Sequence, residues 1–200
     1  MELPDSIVRI AATLALPGLA SSDFDLNADV HLPERRALRP ASVLVPLQIV
    51  NGRAEVILTK RSARLKHHPG QIAFPGGKQD DTDASSEAAA LREAQEEIGL
   101  PPATVQVIGA LPIHETVTGF VITPIIGFVR FPFEQMAEAG EVDEIFRVPL
   151  DHLINPANFR VEARRWQGRR RYFYAVPYGP YYIWGATARI LRALAERVAR

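Results

Sequence analysis

Apolar residues recur at helical spacing in three stretches of the chain. Near the N-terminus Ile7, Ile10, Ala11 and Leu14 share one face of residues 6–16, and Pro17-Gly18 stops that helix. In the middle, Leu91, Ala94 and Ile98 form the apolar side of a helix that Ser85 or Ser86 can cap and Gly99, followed by Leu100-Pro101, ends. Residues 186–198, rich in Ala, Leu and Arg, form the last. Between these, shorter apolar runs read as strands over residues 41–49, 54–60, 105–111, 120–128 and 145–148. Asn51-Gly52 joins the first two as a hairpin turn, and Gln167-Gly168 joins residues 159–166 to 171–178 as a second. His114-Glu115-Thr116 reads as a loop, residues 134–138 as a short helix or turn, and residues 151–154 as a helical turn. Residues 20–40 are polar and irregular, a connector wrapping the surface. This order predicts an α/β fold, a mixed sheet between helices, with residues 1–38 packed on a domain of residues 39–200.

The polar side of the central helix changes the picture. Arg92-Glu93-Ala94-Gln95-Glu96-Glu97-Ile98-Gly99 stacks Glu93 and Glu97 at i, i+4, with Glu96 beside them. Like charges at that spacing destabilise an isolated helix, so the cluster either is a solvated face or serves a hard divalent cation, which takes oxygen ligands. Arg92, adjacent to Glu93, is expected to point away from it. Upstream, Phe74-Pro75-Gly76-Gly77-Lys78 reads as a tight turn that lets backbone approach a ligand. A polar loop over residues 79–86 links it to the helix.

Composition narrows the classes. The 200 residues suit one domain with one sizeable core, and 47% hydrophobic with 23% charged residues is ordinary for a globular protein. A formal net charge of +0 argues against a surface built for nucleic acid or anionic membrane. With Cys 0 there is neither a thiolate metal site nor a cysteine nucleophile. The sequence has no run long enough to span a bilayer and no cationic segment before an apolar core, so a cytoplasmic protein is expected.

The Gly-Gly segment, the loop and the Arg-Glu…Glu-Glu-x-Gly ending together resemble the signature of the Nudix hydrolases. The interval from Gly77 to Arg92 is one residue longer than the common signature, and Asp80, Asp81 and Asp83 stand where the loop usually carries a Glu. Leu58-Thr59-Lys60-Arg61-Ser62, Lys66, Gly70 and Phe74-Pro75-Gly76-Gly77 are similar to the extra signature of the coenzyme A pyrophosphatase branch, which shares the lengthened loop. Ile183-Trp184-Gly185-Ala186-Thr187-Ala188 is similar to the start of that domain's closing helix.

The resemblance implies a Nudix-type α/β/α sandwich and a metal-dependent hydrolase of a nucleoside diphosphate linked to another moiety. Its cofactor is Mg²⁺ or Mn²⁺, held by Glu93, Glu96, Glu97 and the Gly77 carbonyl. The base is a helix acid, Glu96 or Glu97, or a distal acid of the Glu141-Val142-Asp143-Glu144 loop, Glu141 or Glu144. Lys60, Arg61, Arg64 and Lys66 are candidate substrate contacts, suited to phosphate oxygens. Arg92, Gly76 and Gly99 are structural, Arg92 by pairing with an acid to hold loop and helix together. The leading expectation is hydrolysis of coenzyme A or its derivatives to 3′,5′-ADP and 4′-phosphopantetheine. The broader alternative is ADP-ribose or dinucleotides. A non-catalytic nucleotide- or RNA-binding module, with arginines 160–171 as its footprint, is a third reading that the complete acidic triplet opposes. The expected partner is a small-molecule substrate, with no membrane or nucleic acid, and the protein is a monomer or homodimer.

Overall fold

Period-two alternation along one long strand sorts side chains into two cores. The computed structural model describes residues 3–27, 29–30, 36–166 and 168–199. In chain order its elements are α1 (Asp5–Leu14), β1 (Ser21–Ser22), β2 (Arg39–Val50), β3 (Arg53–Arg61), β4 (Ile72–Ala73), β5 (Gly76–Lys78) and α2 (Ser86–Ile98). There follow β6 (Val105–Ala110), β7 (His114–Glu115), β8 (Phe120–Val129), β9 (Val142–Pro149), α3 (Leu150–Leu153), β10 (Arg160–Trp166), β11 (Arg169–Ala175) and α4 (Gly185–Val198). On β2, Leu44 packs with Ala90, Ala94 and Ile98 of α2, whereas Val45 and Leu47 pack with Ile7 and Ile10 of α1 and Leu191 and Leu194 of α4. On β3, Ile57 joins the α2 side while Val56 and Leu58 join the other. Helices thus cover both faces of a mixed sheet, as the pattern predicts. Among the described residues, no helix is long and apolar enough to cross a membrane.

The hairpin of β2 and β3 turns at Asn51-Gly52, both with positive φ, 49° and 76°, as a two-residue turn between twisted strands requires. Its strands pair only from Leu47↔Val56 to Val50↔Arg53, then part. The segment 72–78 fills the opening. Its β4 pairs with β3 at Thr59↔Ala73, and its β5 pairs with β2 from Ala41↔Lys78 to Val43↔Gly76. Beyond, β2 runs parallel to β8, and β9 flanks the far side of β3.

Several local expectations are corrected. The Gly-Gly segment is an extended strand, because Ala41–Val43 of β2 offers it backbone partners. Residues 20–40 are not merely a surface wrap. Ser21–Ser22 pairs in parallel with His114–Glu115, which is itself a strand against β8 rather than a loop. Buried Asn27 bonds the backbone of Tyr172 from both sides, accepting from its N–H and donating to its carbonyl, each at 2.9 Å. Positions 28 and 31–35 of the connector lie outside the described residues, as does Gln167 of the second hairpin. Residues 134–138 form no regular element. They run against the end of α2, where Met136 and Glu138 amides donate to the carbonyls of Ile98 and Glu97. The supposed 141–144 loop is largely the start of β9.

Candidate active site

Helix α2 begins where Ser85 accepts from the Ala88 amide at 3.1 Å, and ends at Gly99, whose φ of 71° closes the last turn. Ala90, Ala94 and Ile98 are fully buried beneath it. Glu97 falls on the same stripe, at i+7 from Ala90, and is buried with 4% exposure. That spacing is a signal in the sequence that the apolar/polar division overlooked.

The helix delivers two carboxylates onto β5. Gly76 N–H donates to Glu97 Oε2 at 3.1 Å. Glu93 lies so close over Gly77 that a Cβ there would stand 2.6 Å from both its carboxylate oxygens. Gly76 is constrained from below, since a Cβ would meet Ser42 O at 2.4 Å and Val43 Cα at 2.6 Å. Both glycines therefore permit a close approach, to sheet backbone and to an acid respectively. Gln79 Nε2 spans Ser42 Oγ and Ser86 Oγ at 2.8 and 2.6 Å, tying β2, the loop and the helix start together.

Burial pushes the Glu97 carboxyl up to about 7, with Glu93 and Glu141 adding to the rise while the Gly76 amide and Arg61 oppose it. Burial raises Glu93 as well, against Arg92, with Glu96 and Glu141 again on the raising side. The sequence expectation for Arg92 fails. It does not point away from Glu93, because its guanidinium reaches across the helix surface and donates to Glu93 Oε1 and Glu96 Oε2, each at 3.0 Å. The same group donates to Asp83 Oδ1 at 3.0 Å and Oδ2 at 2.9 Å, and to the Lys78 carbonyl at 3.2 Å. Asp83 is thus the loop acid that meets Arg92, whose hydrogen bonds hold its carboxyl at about 2. Asp80 stands 3.8 Å from the guanidinium.

Oxygen-only donors suit a hard cation, and two desolvated, mutually repelling carboxylates beside the backbone of Gly77 fit one. Among the described residues, however, no three acids or histidines stand together as a ready-made metal cage. Glu96 explains part of this, being exposed and engaged with Arg92, which it must leave to join Glu93 and Glu97.

The remaining predicted residues separate. Arg61 extends its field to Glu97, and exposed Glu141 to both buried Glu97 and half-buried Glu93. Lys60 and Glu144 face each other across β3 and β9. Both follow the alternation of Leu58 and Phe146, which pack on the α1–α4 side, whereas Ile57 and Ile145 pack on the α2 side. Glu144 therefore lies away from the α2 acids. It lines a cavity of about 470 Å³ with Lys60, Arg164, Tyr181, Tyr182 and Trp184. Sequence reasoning missed this cavity, whose walls meet only through tertiary folding. Arg64 and Lys66 are exposed on the loop after β3, which Asp143 anchors by accepting from the Ala63 amide at 2.9 Å.

Comparison with known proteins identifies the family. Residues 38–170 match the NUDIX domain. The chain is 38% identical over 185 residues to an uncharacterized Nudix hydrolase NudL of Enterobacter sp. (strain 638), spanning 87% of this chain and 96% of that one. It is 41% identical over 188 residues to the NudL protein of Klebsiella pneumoniae (strain 342), spanning 88% and 97%. A solved MutT/nudix family protein from Enterococcus faecalis shares the fold at 14% identity, with a TM-score of 0.51 over 87% of this chain and 67% of its own. With the family match spanning well over half of its residues and relatives aligned along nearly their whole length, the chain belongs to the Nudix hydrolase family.

Proposed function

We propose that the protein is a metal-dependent pyrophosphohydrolase of nucleoside diphosphates linked to a second moiety. The observation that carries the reading is the convergence of Glu93 and Glu97 on the Gly76–Lys78 strand, two carboxylates desolvated at one place with too few protein cations to balance them. Glu93, Glu97 and the Gly77 carbonyl would hold Mg²⁺ or Mn²⁺, with Glu96 joining once released from Arg92. When bound, the metal supplies charge neutralisation at the pyrophosphate oxygens. Arg61, at the end of β3, draws the phosphate chain towards the acids. Glu141, exposed just before β9 and felt at both Glu93 and Glu97, orients the attacking water and takes its proton. Arg92 holds loop and helix in register through Asp83.

Within this class, coenzyme A and its derivatives form the narrower reading, cut to 3′,5′-ADP and a 4′-phosphopantetheine. It rests on the segment from Leu58 to Gly77 that resembles that branch. The comparisons favour the broader class, because the relatives' names specify no substrate. Turnover of ADP-ribose, NADH, diadenosine tetraphosphate and coenzyme A should be measured side by side with Mg²⁺ and Mn²⁺. Hydrolysis of any at its pyrophosphate, lost on chelation, sustains the class. Coenzyme A ranking below the others by kcat/KM removes the narrower reading, and inertness on all four removes both.

A further inference from the structure

The hairpin of β10 and β11 has one edge occupied and one edge open. On the β11 side, Asn27 bonds both backbone groups of Tyr172, and just past the strand Val176 N–H donates to the Ile183 carbonyl at 2.8 Å. On the other side β10 pairs with β11 alone. Among the described residues, no backbone group of Arg160 to Trp166 bonds outside that ladder. Backbone N–H and C=O groups alternate between the two sides of a strand, so the outer edge of β10 presents a row of unpaired donors and acceptors.

Charged side chains along such an edge keep strands apart when they are of one sign. Here the signs alternate on one face. Glu162 Oε2 accepts from the Tyr182 hydroxyl at 2.6 Å, and the Arg164 guanidinium lies 5.2 Å from the Trp184 ring centroid, so both side chains turn to the same neighbours. Within its own hairpin Arg164 stands opposite Arg171, a like-charge pair, and among the described residues it has no carboxylate partner. On the other face Val161 is 54% exposed, with Arg165 on the same side of the strand.

We propose that β10 pairs antiparallel with β10 of a second copy of this chain, about a two-fold axis at Ala163, forming a four-stranded sheet across a homodimer. An axis perpendicular to the sheet keeps each face on its own side. Glu162 of each copy then stands opposite Arg164 of the other, at the cross-strand spacing of about 4.5–5.5 Å where opposite charges attract. Val161 of each copy lies opposite Arg165 of the other, whose aliphatic stem covers it. Sliding the strands by two residues sets Glu162 against Glu162 or Arg164 against Arg164. Sliding them by four leaves only Arg160 to Glu162, or Arg164 to Trp166, paired. Antiparallel pairing also sends the two arginine-rich tips, residues 169–171, to opposite ends, where a parallel pair would bring them together. One strand of 7 residues makes a small interface, so the dimer is a weak one, with a Kd of about 1 μM or higher. Because the faces are kept, the two cavities lined by Arg164 and Tyr182 open on the same side of it.

Sedimentation velocity over a dilution series reaching about 1 mM tests the pairing, with circular dichroism to confirm that each variant folds. The parent should show a reversible monomer–dimer equilibrium. Glu162→Arg and Arg164→Glu each set like charges across both symmetric pairs and should weaken self-association about tenfold or more. Mixed one to one, these two variants restore opposite charges in both pairs and should associate with each other. The sequence has Cys 0, so a single introduced thiol reports the axis. Ala163→Cys should form an intermolecular disulfide under mild oxidation, because its own mate lies within reach. Val161→Cys should not, since its mate is four residues along the strand, about 13 Å away. A protein that stays monomeric throughout the series overturns the proposal. So does a dimer indifferent to both charge variants, a mixture no more associated than its components, or equal cross-linking at 161 and 163.

Discussion

Glu97 is buried against the sheet with the Gly76 amide, 3.1 Å from Oε2, as its hydrogen-bond partner. A single backbone donor does not replace the hydration a carboxylate loses there. The helix therefore carries at this position a group that opposes folding whenever it is ionised and unmatched.

Replacing Glu97 or Glu93 by Gln should separate activity from stability. Each change keeps the shape of the side chain and removes charge, so kcat should fall by about a hundredfold or more, the scale of one lost electrostatic contact of ~3 kcal/mol. The melting temperature without metal should hold or rise. Mn²⁺ should stabilise the parent, and either variant less. Full activity in both variants would remove these acids from the catalytic machinery.

The same residue sets a pH dependence for the metal-free protein. Burial pushes its carboxyl up to about 7 in the folded state, from an ordinary glutamate value of 4.5. Between these values the folded state holds more protons than the unfolded, so stability declines as pH rises through that window and levels off above it. The shift corresponds to at most ~3 kcal/mol. Denaturant titrations from pH 4.5 to 7.5 in EDTA should show the decline, and Glu97→Gln should flatten it. A parent slope equal to that of Glu97→Gln would refute this origin.

The two consecutive glycines should fail in different ways. Gly76→Ala sets its Cβ against Ser42 O and Val43 Cα, backbone atoms that cannot yield, and should cost about 3 kcal/mol or more or prevent folding. Gly77→Ala first meets the end of the Glu93 side chain, which can swing aside. That variant should fold with a small loss in melting temperature and lose Mn²⁺ affinity and kcat together. Equal thermal losses in both would contradict the contact geometry.

Asn27 should behave as a brace rather than a surface residue. Its amide satisfies both backbone groups of Tyr172, and Asn27→Ala leaves them without that partner at a cost of about 1–3 kcal/mol. Hydrogen exchange should quicken first in β10 and β11. Unchanged protection there would show that the N-terminal connector does not support the hairpin.

Legibility in the sequence followed the range of the interactions. Helix α2, its Ser85 and Gly99 caps and the Asn51-Gly52 turn depend on neighbours a few residues away, and periodicity with turn chemistry predicts them. The acidic triplet was visible for the same reason. Gly76–Lys78 has the local signature of a turn, and its identity as a strand comes from Ala41–Val43, far off in sequence. His114 and Ser21 are paired by a parallel contact that a two-residue strand cannot announce. Arg92 was misplaced because adjacent residues diverge at Cα, yet a long guanidinium can curl back over its own helix. Glu144 was placed beside Glu141 by sequence proximity, whereas strand alternation sends it to the other face.

The parting of β2 from β3 also bears on how this chain can lengthen. Residues 72–78 are clamped on both edges by backbone ladders and on one face by α2, so each residue there has an assigned seat. An insertion would slide Gly76 and Gly77 out of places that have no room for a side chain. The exposed stretches on either side, around His67 to Gly70 and Asp80 to Thr82, have no such seating. Variation in length is therefore expected to collect in those two loops while the segment between them keeps its count. The additional residue between Gly77 and Arg92 lies where that rule allows it.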